Sequence, residues 1–127
     1  MATVMLGRDN FDEIVNSNTV VLIDFWASWC GPCRMFAPVF ERASEQHSDV
    51  VFAKVDTEAE EELAARFQIM SIPTLIAFRD QVPLYAQPGV LSPAALEELI
   101  ARIKDLDMDE VRRQVAVGGQ KTAAARA

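Results

Sequence analysis

The spacing of apolar residues divides the chain into short segments that alternate between strand-like and helix-like patterns. Residues 19–26, TVVLIDFW, are β-branched, aromatic and almost continuously apolar, which is typical of a central strand covered on both faces. Four further segments are strand candidates: residues 3–6, 50–55, 74–78 and 82–86. Because Pro83 has no backbone N–H to donate, the last of them is predicted at an edge of the sheet.

Four helices are predicted between and after these strands. Their approximate bounds are residues 9–15, 30–47 (with Pro38 inside), 57–67 and 92–103. Asp9 is the expected N-terminal cap of the first helix. Thr57 and Glu60 form an expected capping box for the third. Ser92 followed by Pro93 predicts the start of the fourth, since a capping hydroxyl precedes proline at the first helical position.

The resulting order, βαβαβαββα, predicts one mixed sheet with helices on both faces, and a final hairpin that adds an antiparallel edge. We expect residues 1–105 to form this domain and residues 106–127 to form a C-terminal extension. In the extension, Asp107 with Glu110 is expected to cap one more short helix. Met108, Val111 and Val115 are expected to form the apolar stripe of this helix. The pair Gly118-Gly119 is expected to end it, before a frayed tail.

Composition and charge exclude several classes of protein. A chain of 127 residues that is 50% hydrophobic and 24% charged fits one soluble globular domain. Its net charge of −7 disfavours binding to the negatively charged phosphate backbone of nucleic acid, so nucleic acid is not an expected partner. We see no basic leader segment and no apolar run long enough for a bilayer, so we expect a cytoplasmic protein with no membrane partner.

Both cysteines lie in the stretch WASWCGPCR, as Cys30 and Cys33. A structural zinc site needs about four ligands, and the chain adds to this pair only one histidine, His47, which we interpret as a solvated residue at a helix end. No metal site is therefore expected. A purely structural disulfide is also disfavoured, because closing so short a loop removes little entropy from the unfolded chain.

Redox exchange suits the pair better. Cys30 is predicted at the start of a helix, exposed by the tight Gly31-Pro32 turn, where free N–H groups and the helix dipole stabilise a thiolate. Cys33 lies one turn further on and could resolve a mixed disulfide on Cys30. Asp24 stands inside an apolar strand, where desolvation would raise its pKa and make it a proton acceptor for Cys33. Lys54 in the next strand is its candidate charge partner, although a lysine there could also reach solvent.

These residues give the sequence a resemblance to the thioredoxin family. The matching motifs are DFWASWCGPCRMFAP, AKVDTE, SIPTLIAF and PGVLS, spread consistently over about residues 4–105. The resemblance implies the thioredoxin fold, a cis peptide bond between Ile72 and Pro73, and an apolar substrate surface around Cys30. The substrate-binding residues that it implies are Trp29, Gly31, Pro32, Ser71, Ile72, Pro73, Gly89 and Val90. Ser71 stands where the family often has glycine.

The resemblance also implies a function. The protein would reduce disulfides in protein substrates with its Cys30–Cys33 pair and would be reduced again by a flavin-containing, NADPH-dependent thioredoxin reductase. It would carry no bound cofactor of its own and act as a monomer. Two alternatives stay open: a structural subunit that binds partners through its C-terminal helix, and a thiol oxidase or isomerase, against which the Gly-Pro pair argues.

Overall fold

The computed structural model describes residues 2–116 of the chain. The elements are β1 (Thr3–Met5), α1 (Phe11–Ser17), β2 (Val20–Trp26), α2 (Gly31–Gln46), β3 (Val51–Asp56), α3 (Glu61–Arg66), β4 (Thr74–Arg79), β5 (Val82–Pro88), α4 (Pro93–Lys104) and α5 (108–116). Their order confirms the predicted alternation and the additional helix. Within the described residues, no helix combines the length and apolar character that a membrane span requires.

The five strands form one sheet in the order β1-β3-β2-β4-β5. Strand β3 pairs in parallel with β1 and β2, whereas β4 is antiparallel to both β2 and β5. The sheet is mixed and the final hairpin adds an antiparallel edge, as predicted, and β4 is antiparallel to β2 as well. Asp56 at the end of β3 pairs with Trp26 at the end of β2, and Phe25 beside it pairs with Thr74 at the start of β4. Strand β4 therefore starts at the end where β3 finishes.

The sheet is covered on both faces. Successive side chains of β2 alternate, so that Leu22 packs with Phe36 and Phe40 of α2 and with α4, and Ile23 packs with residues of α1 and α3. Both residues are fully buried. This confirms β2 as the central strand, and it fixes α2 over the face that carries the even-numbered residues of β2.

The first helix begins differently from the prediction. Helix α1 starts at Phe11 with Asn10 as its N-cap residue, so the assignment of the cap to Asp9 is wrong. The Asn10 side chain accepts a hydrogen bond from the Gly7 amide at 2.8 Å and donates to the Met5 carbonyl at 3.0 Å. An amide group can do both, whereas a carboxylate only accepts, and this favours Asn10 over Asp9 at the bend.

The capping box predicted for the third helix is also wrong. Helix α3 begins at Glu61, four residues after Thr57. The Thr57 hydroxyl instead donates to the Trp26 carbonyl at 3.0 Å, and Asp56 accepts the Glu58 amide at 2.9 Å. These bonds tie the segment after β3 to the end of β2, so residues 57–60 form a turn and not a helix.

Other local predictions are confirmed. The Ser92 hydroxyl accepts from the Ala95 amide at 3.1 Å at the start of α4, and β5 with Pro83 lies at the edge of the sheet. Asp107 accepts the Asp109 and Glu110 amides at the start of α5. The pair Gly118-Gly119 and the tail lie outside the described residues.

Helix α5 packs on the domain through one end. Met108 is 6% exposed and Arg112 forms an ion pair with Asp80 at 3.4 Å, whereas Val115 is 48% exposed. The predicted apolar stripe is therefore buried at Met108, half-buried at Val111 and exposed at Val115. Arg79 reinforces this junction, because its guanidinium lies within 2.9 Å of the Ile103, Lys104 and Leu106 carbonyl oxygens where α4 ends. The division into residues 1–105 and 106–127 stays a prediction.

Candidate active site

Cys30 and Cys33 form a disulfide at the N-terminus of α2. Cys30 is the N-cap residue of the helix, and its sulfur accepts the Cys33 amide at 3.1 Å. Glycine and proline occupy the two positions between them and start the helix without bulky side chains. An amide and the positive end of a 16-residue helix thus point at the Cys30 sulfur, an environment that stabilises a thiolate once the disulfide is reduced.

The sequence prediction that Cys30 is exposed is wrong. Cys30 is 4% exposed and Cys33 is buried as well, because Ala27, Trp26 and Ile72 pack around the pair. Access to Cys30 is through a groove of about 430 Å3 beside it. A substrate disulfide must therefore enter this groove to meet the sulfur.

Five of the eight predicted substrate residues line the groove: Trp29, Gly31, Pro32, Ser71 and Ile72. Trp29 stands at its rim with 64% of its surface exposed, and its indole N–H donates to the Glu58 carboxylate. This exposed position is the one that a substrate-binding residue would need.

The other three predicted substrate residues lie on adjoining loops. Pro73 is buried and follows a cis peptide bond after Ile72, as the resemblance implied. The Gly89 amide donates to the Pro73 carbonyl at 2.8 Å, so the loop with Gly89 and Val90 is attached directly to the cis-proline segment. Gly89 has φ = 107°, a conformation that favours glycine.

Sequence reasoning missed four residues that also line the groove: Thr57, Ala64, Ile69 and Met70. Met70 is 93% exposed, which is unusual for a large apolar side chain. Its only signal in the sequence was its position immediately before the Ser71-Ile72-Pro73 motif. A flexible, polarisable thioether at this rim suits contact with varied apolar side chains.

Asp24 is buried beneath the active-site face. It is 1% exposed, and neither carboxylate oxygen has a hydrogen-bond partner among the described residues. It follows Leu22 on the face of β2 that α2 covers. Loss of solvation by burial raises the pKa of Asp24 to about 7, against the opposing effect of the Lys54 charge.

His47 differs from its prediction as a solvated helix-end residue. Its ring is part-buried, stacks on Phe52, and lies 2.7 Å from the Glu97 carboxylate and 3.3 Å from the Lys104 ammonium. It thus joins α2 to α4, and it has no part in the cysteine site. Across residues 2–116, no three His, Cys, Asp or Glu side chains are grouped as a metal site would need.

Comparisons with known proteins agree with this site. The family model described as thioredoxin matches residues 2–104. The chain is similar to a Streptomyces coelicolor protein assigned as thioredoxin 2, with 57% identity over 115 residues, 91% of this chain and 86% of that protein. It is also similar to a Mycobacterium leprae protein named bifunctional thioredoxin reductase/thioredoxin, with 47% identity over 87 residues, 68% of this chain and 19% of that protein.

The fold agrees equally well with solved structures. A mutant thioredoxin from Halobacterium salinarum superposes with a TM-score of 0.76 and 35% sequence identity. The match covers 82% of this chain and 92% of that one. The fold class expected from the sequence, a mixed sheet between helices with an additional C-terminal helix, is confirmed.

Proposed function

The chain belongs to the thioredoxin family, and on that premise we propose how its residues divide the chemistry. As a member it is a thiol-disulfide oxidoreductase that reduces protein disulfides through the Cys30–Cys33 pair. Its redox group is that disulfide, and the family has no prosthetic group. The alternative of a purely structural binding subunit is not favoured by these findings.

Cys30 is the attacking residue in this proposal. Its thiolate attacks one sulfur of a substrate disulfide, forms a mixed disulfide and releases the other substrate sulfur as a thiolate. The Cys33 thiolate then attacks the Cys30 sulfur, which releases the second substrate thiolate and restores the Cys30–Cys33 disulfide. Two electrons pass to the substrate. The observation that carries this order is the placement of Cys30, and not Cys33, in the wall of the groove.

Asp24 is the proton acceptor for Cys33. A carboxyl group with a pKa of about 7 is ionised in part of the molecules at neutral pH, and it can therefore take the thiol proton as Cys33 attacks. Asp24 lies on the sheet face covered by α2, whose first turn carries Cys33. The proton would pass through water. Lys54 is its charge partner and lowers its pKa from across the strand pair.

The groove is the substrate site. Trp29, Pro32 and Ile72 offer apolar surface, and Gly31 and Ser71 leave room for a polypeptide between them. The cis-proline segment presents backbone groups to an extended substrate chain, as the edge of a sheet does. Gly89 and Val90 support this segment from the next loop, where the Gly89 amide donates to the Pro73 carbonyl.

We further propose thioredoxin reductase as the partner that reduces the protein again with NADPH and flavin, which this chain uses only indirectly. The fusion of a reductase and a thioredoxin named in the Mycobacterium leprae relative supports this pairing. A cytoplasmic location and a monomeric state complete the proposal, with disulfide-containing proteins as substrates and neither nucleic acid nor membrane as partner.

A trapping experiment tests the assignment of the two cysteines. Cys33→Ser keeps the attacking thiol and removes the resolving one, so it should accumulate mixed disulfides with a protein substrate that dithiothreitol releases. Cys30→Ser is the matched control and should trap little. Equal trapping by both variants would show that the order of the two cysteines is wrong.

A further inference from the structure

Three side chains, those of Asp24, Trp26 and Lys54, lie on the face of the sheet that α2 covers, and Trp26 also packs against the two cysteines. Asp24 and Trp26 are two residues apart on β2 and therefore project to the same face. Lys54 is the direct register partner of Asp24 on the parallel strand β3. Lys54 is thus a neighbour of both Asp24 and Trp26 on this face of the sheet.

The ammonium lies on the indole and not on the carboxyl group. Lys54 Nζ is 4.9 Å from the centroid of the Trp26 ring, within the range of a cation–π interaction. Among the described residues, the ion pairs with an N···O distance up to 4.0 Å do not include Lys54 and Asp24. Both Asp24 oxygens are without a hydrogen-bond partner in the same part of the chain.

We propose that Trp26 is a positioning residue that holds the Lys54 ammonium on its ring and so prevents an ion pair between Lys54 and Asp24. The consequence concerns the proton affinity of Asp24. A cation in direct contact would stabilise the carboxylate and lower its pKa. A cation held further away lowers the pKa less, so most of the increase caused by burial remains. Trp26 would therefore keep Asp24 able to bind a proton near neutral pH.

Among the described residues, few other ionisable groups lie where they could change the pKa of Asp24. On β3, Asp56 is the next residue on the face of Lys54, but its carboxylate accepts the Glu58 amide at 2.9 Å. Strand β4 places Leu75 beside Asp24. Helix α2 contributes Cys33, which does not titrate while it is in the disulfide, and Glu41, whose carboxylate accepts the Thr3 hydroxyl of β1 at 2.9 Å. In the oxidised protein, Lys54 is the charged group that acts on the pKa of Asp24, against the effect of burial.

The functional meaning of this arrangement rests on the proposed role of Asp24 as proton acceptor. The experiment that tests the arrangement is independent of that role, because it measures only the protonation of Asp24. The Asp24 carboxyl carbon can be titrated by 13C NMR in the oxidised full-length protein. Trp26→Leu should lower the titration midpoint by about one pH unit or more, because Lys54 is then free to contact the carboxylate. Trp26→Phe, which keeps an aromatic face, should give a smaller fall.

Removing Trp26 also changes the solvation of Asp24, and this effect must be separated from that of the Lys54 charge. Lys54→Met is the control, because it removes the charge. In the Lys54→Met background only the change of solvation remains, so Trp26→Leu should shift the midpoint clearly less than it does with Lys54 present. An unchanged midpoint in Trp26→Leu, or an equal fall in both backgrounds, would overturn the proposal. If Trp26→Leu does not fold, the same comparison is made with Trp26→Phe. Insulin reduction by Asp24→Asn tests the role of Asp24 separately.

Discussion

The sulfur of Cys30 lies 3.7 Å from the carbonyl oxygen of Ile72, although 42 residues separate them in the chain. This contact joins the start of α2 to the segment before β4. A polypeptide whose sulfur reaches Cys30 therefore also meets the backbone of the cis-proline segment. Chemistry and substrate recognition share one small surface, and the first predictions concern that surface.

Trp29→Ala should weaken the reduction of a protein substrate by roughly tenfold in kcat/KM, because tryptophan side chains covered by a partner are among the residues that contribute most to binding. Reduction of a small aromatic disulfide reagent should change much less, since it needs little of the groove. Steady-state assays with both substrates measure the difference. Met5→Ala, which removes an exposed apolar side chain on the distant edge strand β1, is the control. Equal losses with both substrates would contradict a recognition role.

Asp24 should make the protein less stable as the pH rises. Its pKa is 3.8 in a solvated state and about 7 in the folded one, so the folded protein holds the extra proton between these values. Unfolding free energy therefore falls as pH rises from about 4 to 7 and then levels off. At about 1.4 kcal/mol per unit, the penalty at pH 8 is about 4 kcal/mol.

Asp24→Asn removes the contribution of this carboxyl group to the pH dependence of the unfolding free energy. Relative to the native protein, the variant should gain about 4 kcal/mol in unfolding free energy between pH 4 and pH 8. Urea denaturation of the oxidised proteins at the two pH values measures it. The difference between the two pH values is the relevant quantity, because it cancels the pH-independent cost of burying an amide. An identical gap at both pH values would contradict the raised pKa.

Gln68 follows α3 with φ = 54°, a left-handed conformation that glycine adopts without a Cβ clash. Gln68→Gly should therefore raise the unfolding free energy by about 1 kcal/mol. Gln68→Ala, which also removes the long side chain but keeps the Cβ, is the matched control and should give no gain. Chemical denaturation at neutral pH compares the three proteins. A gain in both variants would assign the effect to the side chain and not to the backbone.

Helix α5 should contribute to stability through Met108. Met108→Ala removes a buried side chain and should lower the unfolding free energy by about 2 kcal/mol, whereas Val115→Ala on the exposed part of the same helix should change it little. Thermal unfolding measures both. If Met108→Ala were as mild as Val115→Ala, the extension would be independent of the domain.

Much of the fold follows from the sequence because its signals are local. The apolar run of β2 predicts a strand covered on both faces, and the Ser92-Pro93 pair marks the start of α4. The direction of β4 could not be predicted in the same way, since it depends on the path of residues 57–73 between the strands, which no local pattern specifies. The caps at Asp9 and Thr57 were assigned to the wrong residues because several adjacent residues can all cap a helix, and only their tertiary contacts distinguish them.

The candidate site likewise has features that the sequence predicts and features that depend on tertiary packing. Cys30, Cys33 and the buried Asp24 carry chemistry that residue type and spacing indicate. The low exposure of Cys30 and the exposed Met70 depend on packing between α2 and the loop before β4, which no local pattern contains. The position of Lys54 over Trp26 is likewise a relation between strands, and the sequence indicated only that Lys54 lies near Asp24.

The most direct test of the central claim is insulin reduction with NADPH and a bacterial thioredoxin reductase, followed as NADPH consumption in the native protein and in Cys30→Ser. We expect rapid consumption with the native protein and none above background with the variant. Activity of the native protein with dithiothreitol alone would point to a different reductase. A native protein inactive under both conditions, or a Cys30→Ser variant as active as the native protein, would contradict the assignment of Cys30 as the attacking thiol of a protein-disulfide reductant.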